Sequence, residues 1–479
     1  MKVLLVTSEA APFIKTGGLG DVCGALPKAL QQKRVFTRVI LPLYGSVMEQ
    51  PGIREGLRFV KYVYVPLAWR SLYCGLFELK QDGVTYYFLD NEYYFKREEI
   101  YGHFDDGERF AFFCRAVVSL LPELGWTPDV IHCNDWQTGL VSVYIRRLYR
   151  EDPFYSKIKL VFTIHNVEYQ GRFGRSALED VFGLPDTVFN EGTLEYNGGL
   201  SLMKGAIELS DAVTTVSPTY ADEIKYAFYA HGMEGVIAAQ NGKIRGILNG
   251  IDTEIYDPAT DENLFAPYSA SDMEGKRENK RQLQKFLGLL EEPDVPLVGI
   301  VSRLVSHKGL ALVAEALDAM MDMDMQLVVL GRGEWHFEHM LTSAQSNFGG
   351  RLSANIMFNS SLAMKIYAGC DLFLMPSQKE PCGLAQMIAM RYGAVPLVRE
   401  TGGLRDTVQA YNAETGEGDG FSFANYDAHD MLHVLGQALA LYKDKTVWTQ
   451  LTRRAMEKNF SWADSAAEYI RLYKSLKTD

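Results

Sequence analysis

KTGGLGDVCGALPKAL, residues 15–30, comes directly after the apolar run KVLLVTS (residues 2–8) and spends three glycines in four positions before a helical pattern begins. Glycine crowded into a strand-to-helix turn marks a backbone that something must approach closely. A second copy, ETGGLRDTV (residues 400–408), follows another apolar run, AVPLVR. Two such turns, one in each half, predict two similar halves facing one ligand.

Working outward, apolar runs of strand length alternate with amphipathic helical stretches. In the first half they are residues 2–8, 37–43, 84–90, 129–135, 159–165 and 212–217; in the second, 296–303, 326–331, 355–358, 371–377 and 394–399. Near-continuous apolar strands separated by helices imply parallel sheets covered on both faces. The expected fold class is therefore α/β, with two Rossmann-like doubly wound domains, residues 1–245 and 246–456. Their join falls near KIRGILNGIDTEIYDPATD (243–261), where a strand gives way to Gly-, Asn- and Pro-rich chain. The charged stretch SDMEGKRENKRQLQKFLG (271–288) reads as a solvated helix.

Composition narrows the function classes. A chain of 479 residues exceeds one ordinary core, and 47% hydrophobic with 23% charged residues is globular. No run approaches the ~18 apolar residues of a membrane span, so no membrane partner is expected. The opening MKVLLVTSEA turns polar by position 7, unlike a signal peptide. The six cysteines are scattered without a CxxC pair, which reads as reduced thiols of a cytoplasmic enzyme. Net charge is −12 with no basic tract, so nucleic acid is not an expected partner. An anionic ligand would require a local basic cluster.

In open parallel sheets ligands sit at the carboxyl ends of the strands, and the chemically loaded segments all follow strands: KTGGLGD, DWQTG, HNVEYQG, SRLVSHKG, GRG, SQKEPCGL and ETGGLRD. Lys15 with Gly17 and Gly18 suits an anion, since backbone N–H groups at a helix start and a cation converge there. The segment matches neither GxGxxG nor GxxxxGK[ST]. Asp21 reads as an N-cap or as a group aimed at a sugar hydroxyl. Arg303 and Lys308 form the basic cluster that the net charge demands, and both are expected to be removable without harm to the fold. Fixed cations there would stabilise a departing diphosphate. Glu380, in EPCGL, could hold sugar hydroxyls or offset charge on an oxocarbenium-like carbon. Cys382 has no histidine near it in sequence and reads as packing. His165 ends a strand, where a lone histidine is more often structural than catalytic. Asp135 and Trp136 pair a carboxylate with an aromatic face suited to carbohydrate. Asp322 and Asp324 form a DxD, but they precede a strand and so lie at the wrong edge for a donor metal. No metal and no cofactor are expected.

Taken together, KTGGLGDVxGALPKAL, NDWQTGL, TIHNxxYQG, TTVSPTYADEI, GILNGID, VSRLxxxKGL, PSxxEPCGL, TGGLxDTV and FSWADSAAEY resemble the bacterial glycogen synthase and starch synthase family over the whole chain. The resemblance implies a GT-B fold with an interdomain cleft and a final helix, residues 457–479, crossing back to the first domain. It implies metal-independent, retaining transfer of glucose from ADP-glucose to the non-reducing 4-OH of an α-1,4-glucan such as glycogen. It also places Lys15 and the following glycines in the cleft, Arg303 and Lys308 on the diphosphate, and Glu380 beside the donor glucose. His165 would face the 6-OH through its main chain, with Asp135 and Trp136 near sugar and acceptor. Asn249 and, more loosely, Tyr101 join the substrate-binding set, as do Cys382, Gly383 and Leu384 of EPCGL and Thr401 and Gly402 of the second glycine turn. Two departures stand out: Lys379 replaces an aromatic before EPCGL, and QQKRVFTRV lacks the usual turn glycine. From the residues alone, UDP-glucose, a phosphorylase-like enzyme and a glucan-binding protein with a degenerate donor site stay open. No residue pattern specifies an oligomeric state.

Overall fold

The computed structural model describes residues 1–240 and 242–477. It divides into two compact units: residues 1–250 together with the segment from Trp462 onward, and Ile251–Ser461.

Unit 1 contains β1 (Lys2–Val6), β2 (Phe36–Pro42), β3 (Arg58–Leu67), β4 (Arg70–Gln81), β5 (Val84–Asp90), β6 (Val130–Asn134) and β7 (Lys159–Ile164). Then come the short β8 (Arg172–Phe173), β9 (Glu195–Tyr196) and β10 (Gly199–Ser201), followed by β11 (Ala212–Thr215) and β12 (Ile244–Gly246). Nine of these form one sheet in the order β12-β11-β7-β6-β1-β2-β5-β4-β3, and β8, β10 and β9 make a separate small one. From β12 to β5 the pairing is parallel, as the apolar runs predict. The antiparallel pair β3 and β4 extends the sheet beyond β5 and was not among the expected strands. Its outer face carries exposed tyrosines, so its alternation is half polar and gives no continuous apolar run. The helix Trp462–Ser475 packs on the helix Gly18–Gln32. It is fastened by Tyr473, whose hydroxyl lies 2.7 Å from His132 Nδ1, and by Lys477, 2.7 Å from Asp129.

Unit 2 holds β13 (Leu297–Val301), β14 (Gln326–Gly331), β15 (Leu352–Ile356), β16 (Leu372–Met375), β17 (Val395–Arg399) and β18 (Phe421–Phe423), parallel throughout in the order β15-β14-β13-β16-β17-β18. The third strand starts before the expected 355, because Leu352 and Ser353 are its buried positions. The charged stretch 271–288 forms a helix that is solvated on one side only, with Arg277, Arg281 and Lys285 exposed. Within Glu274–Phe286, Lys276 and Lys280 are buried. Lys276 Nζ donates to the carbonyls of Ala368, Cys370 and Tyr392, and Lys280 Nζ to those of Pro293 and Val295. Lys280 also pairs with Asp371 at 2.7 Å. Charge pattern hides this, since a lysine can cap strand and helix carbonyls from a buried position when every proton finds an acceptor. Burial pulls the Lys276 ammonium down to about 8.

Among the described residues no helix is long and apolar enough to cross a membrane, and all six cysteines are buried, none of them in a disulfide.

The missing turn glycine has a visible consequence. The helix Gly18–Gln32 ends with Val35 N–H on Leu30 O (3.0 Å) and Arg34 N–H on Gln31 O (2.9 Å), the bonding of a Schellman cap. Arg34 stands at its left-handed position with φ 62°. Replacing Arg34 with glycine should therefore stabilise unit 1 by about 1 kcal/mol. A rise of a few degrees in the thermal midpoint would show it; an unchanged or lowered midpoint would contradict it.

Candidate active site

In both units the loaded segments do follow the carboxyl ends of parallel strands, and each unit builds its own cluster there.

In unit 1 the segment after β1 is shaped by Glu9, which the sequence reading passed over. Its buried carboxylate accepts hydrogen bonds from the Thr16 amide, the Thr16 hydroxyl (2.8 Å) and the Tyr101 hydroxyl (2.6 Å). Tyr101, expected near the donor, is thus a brace of this loop and also meets Ser8 at 2.7 Å. The readable signal was a carboxylate in SEAAP immediately after a buried strand. Lys15 Nζ lies 2.7 Å from Asp21 Oδ1. Asp21 sits inside the first turn, not at the cap, because the helix begins at Gly18 with Gly17 as N-cap.

The two glycine turns differ in what they need glycine for. A side chain at Gly17 would meet nothing within 4 Å, and its backbone is extended at φ −163°. Nothing in the described fold requires glycine there, and both Gly17 and Gly18 are exposed. Gly402 is the opposite case: at φ 43° its missing Cβ would stand 1.9 Å from the Glu380 carbonyl oxygen. Thr401, the buried N-cap of Gly402–Thr407, and Gly402 thus press the second turn onto the EPCG backbone. The two turns, alike in sequence, thus differ in packing: the first is open at Gly17 and the second is closed against its own domain.

The ends of β6 and β7 form one assembly. Asp135 Oδ1 accepts the His165 amide at 2.7 Å, and Asn134 Oδ1 lies 2.9 Å from His165 Nε2. Two consecutive side chains of a strand usually point to opposite faces. Here both reach His165, and Asp135 has φ 57°, ψ 176°, a region that costs a non-glycine residue about 1–3 kcal/mol. Burial pushes the Asp135 carboxyl up to about 7, against the two backbone amides that favour its charge and with Glu9 adding to the rise. Burial also pulls His165 down to about 3, so its ring is neutral. Trp136 is half-buried, edge-on to Phe110 at 5.4 Å and beside Phe173 at 5.9 Å. Asn249 follows β12; it is 6% exposed and its amide oxygen has no partner among the described residues. A buried orphan acceptor points to a ligand or water.

In unit 2, Arg303 follows β13, is exposed, and its guanidinium has no partner among the described residues. Lys308 differs. Its Nζ donates to both oxygens of Glu380, at 2.8 and 2.6 Å, and Ser377 Oγ adds a third bond at 3.1 Å. Glu380 is 6% exposed. Lys308 is therefore the counter-ion of a buried carboxylate, and its removal would cost stability, against the expectation stated for it. Gly309, at φ 84°, lets this turn lie against Pro376, whose carbonyl would be 2.1 Å from a Cβ there. Cys382 is buried and Gly383 (φ 72°) and Leu384 lead into the helix Ala385–Arg391. Asp322 and Asp324 are exposed at the opposite end of β14. Among the described residues no three His, Cys, Asp or Glu side chains are placed to hold a metal.

Comparison with known proteins extends these observations. Residues 2–239 match the starch synthase catalytic domain and residues 283–455 the group 1 glycosyl transferases. Glycogen synthases of Geobacillus thermodenitrificans and Geobacillus stearothermophilus are each 52% identical over 476 residues, covering 99% of this chain and 98% of theirs. That of Desulforamulus reducens is 50% identical, with 99% of each covered. The catalytic domain of starch synthase IV from Arabidopsis thaliana, solved with ADP and acarbose, superposes with a TM-score of 0.92 at 36% identity, over 100% of this chain and 99% of that one. A sucrose-phosphate synthase from Thermosynechococcus elongatus shares the fold at a TM-score of 0.62 and 17% identity, with the same coverage.

The raised Asp135 carboxyl makes a signed prediction. Its folded value lies above the unfolded one, so the folded state binds the extra proton between about pH 4 and 7 and its ionised form costs stability above pH 7. Asp135→Asn keeps the amide-accepting oxygen without the charge. It should gain on the order of 2–4 kcal/mol over wild type at pH 8, shrinking to nothing near pH 4. Paired calorimetric scans across that range check it; a gain independent of pH would contradict the assignment.

Proposed function

The chain belongs to the glycogen synthase and starch synthase family of glycosyltransferases, and from that premise we propose that it extends an α-1,4-glucan by glucosyl transfer from ADP-glucose, with retention and without a metal. The observation that carries the residue roles is the charge arrangement after β13. Arg303 is an uncompensated cation, next in the same segment to an ammonium that a buried carboxylate already neutralises.

A diphosphate gains negative charge as the glycosidic bond breaks, and a cation held ready beforehand lowers that barrier. Arg303 supplies that charge, and its planar fork suits two phosphate oxygens. Lys308 divides its protons between Glu380 and the phosphates. Glu380, tied by Lys308 and Ser377, offers its remaining lone pairs to the donor glucose or its developing positive carbon. In unit 1, Gly17 and Gly18 give bare N–H groups and an approach unhindered by side chains, with Lys15 and Asp21 beside them. Asp135, the neutral His165 and the half-buried Trp136 furnish acceptors and an aromatic face for the sugar and the glucan. The orphan oxygen of Asn249 takes a further hydroxyl. The ADP and acarbose held by the Arabidopsis relative, a nucleotide and a glucan-like sugar, support this reading.

Purified protein given glycogen and labelled donor should incorporate glucose from ADP-glucose at least about tenfold faster than from UDP-glucose, a discrimination of ~1.4 kcal/mol, and should keep that rate in EDTA. Preference for UDP-glucose, or loss in EDTA restored by magnesium, would overturn the donor or the metal-free assignment. Arg303→Ala should lower turnover by about 10²–10³ with an unchanged melting point. Lys308→Ala should lose both activity and about 3–5 kcal/mol of stability, because it strands the buried Glu380.

The glycines separate in the same way. Gly17→Ala should melt like wild type but lose kcat/KM, whereas Gly402→Ala should unfold more readily through its clash with the Glu380 carbonyl. Equal behaviour of the two variants would contradict the distinct roles.

A further inference from the structure

Asn134, the last residue of β6, is 1% exposed, and its amide is fully engaged. The amide nitrogen lies 3.1 Å from the Val6 carbonyl oxygen and 3.2 Å from that of His132. Only an NH2 group can satisfy two carbonyls, so the orientation of this amide is fixed by its surroundings. Its oxygen is then the atom 2.9 Å from His165 Nε2. An amide oxygen only accepts, so Nε2 carries the ring proton. A neutral imidazole has one such proton, which leaves Nδ1 as a bare lone pair, and Nδ1 has no partner among the described residues. The His165 backbone is pinned separately, by Asp135.

We propose that Asn134 is a positioning residue for the transfer reaction: by holding His165 as the Nε2–H tautomer, it presents Nδ1 as a hydrogen-bond acceptor to a hydroxyl of the transferred sugar. The proposal rests on the glucosyl-transfer reading above. In the opposite tautomer Nε2 would set a lone pair against the amide oxygen, and an N–H would stand where a sugar hydroxyl brings its proton. The titratable groups that face this ring or the carboxylate beside it are His132 on β6, Asp135 at the neighbouring end of β6, and, around Asp135, Glu9 after β1 and Tyr220 from the helix Pro218–Glu223. Among the described residues the bond from His165 Nε2–H to Asn134 Oδ1 is the only hydrogen bond of the ring, so the side chain at position 134 decides the proton's place.

The test has two arms on the full-length protein. In the first, 15N-histidine NMR, with the His165 signals assigned by their loss in His165→Gln, should show Nε2 protonated and Nδ1 bare from pH 6 to 8. A protonated Nδ1 in wild type overturns the proposal. In the second, Asn134→Asp places a carboxylate on Nε2–H, which favours the doubly protonated ring and so removes the acceptor. Its kcat/KM for glucosyl transfer should fall about 10- to 100-fold relative to wild type at pH 6, as for one hydrogen bond lost in the transition state, and recover as pH rises toward 9. Asn134→Ala, which frees the ring without charging it, should lose activity about equally at every pH. A loss in Asn134→Asp as flat with pH as that of Asn134→Ala would mark the residue as structural and overturn the proposal. Should Asn134→Asp fail to fold, the wild-type tautomer still decides. Inactivity of wild type toward every glucosyl donor would instead overturn the reaction assigned above, while the NMR arm reads independently of it.

Discussion

A carboxylate buried at the end of β16 has to be neutralised, and a single ammonium does it. Glu380 and Lys308 come from segments after two neighbouring parallel strands, and their pairing requires those segments to lie against each other. Gly309 permits the approach to Pro376, the Gln378 amide closes it on the His307 carbonyl at 2.9 Å, and Gly402 and Gly403 seat the third segment against Glu380 and Pro381. Three loops become one rigid block around one charge pair. Arg303 stands outside that block with its charge unspent. A block of this kind suits catalysis of charge separation, because its dipoles and cation need not reorganise when charge develops.

Unit 1 meets a similar demand with neutral partners. Glu9 is as buried as Glu380, but hydroxyls and an amide hold it in place of an ammonium. Glu9 in turn adds to the rise that burial imposes on the Asp135 carboxyl. The two units thus hold a buried carboxylate by different means, an ammonium in one and neutral donors in the other.

Most of the frame was legible because parallel strands buried on both faces must be apolar along their whole length, as in β1, β6, β14 and β16. The same rule explains the strands that were not legible: β3 and β4 have one face exposed, so their tyrosines interrupt the pattern. The place of Arg303 after a strand was legible, and among the described residues its guanidinium has no partner. The structural role of Lys308 was not legible, since its partner lies 72 positions away. Glu9, Tyr101 and Asn134 show the same limit. Their roles are set by contacts between strand ends distant in sequence, and a local motif contains no trace of which carboxylate meets which hydroxyl. Lys276 and Lys280 make the converse point: charge in a helix reads as solvated until the carbonyls it satisfies are known.

Why β6 should end in a strained, reluctantly ionised aspartate follows from these contacts. Glycine at position 135 would relieve the backbone, and asparagine would relieve the buried charge, so neither feature serves stability. What the strained turn achieves is geometric: it brings the side chains of Asn134 and Asp135 onto one residue, one holding its ring and the other its amide. The neighbouring strands over-determine this arrangement, because Asp135 donates its own amide to Thr163 and Asn134 is tied to β1 through Val6. Strain persists only where surrounding structure enforces it, and here the enforcing contacts are those of the central parallel strands. A residue with strained backbone is therefore mounted among the central parallel strands of unit 1, whose ladder contacts leave it no relaxed alternative.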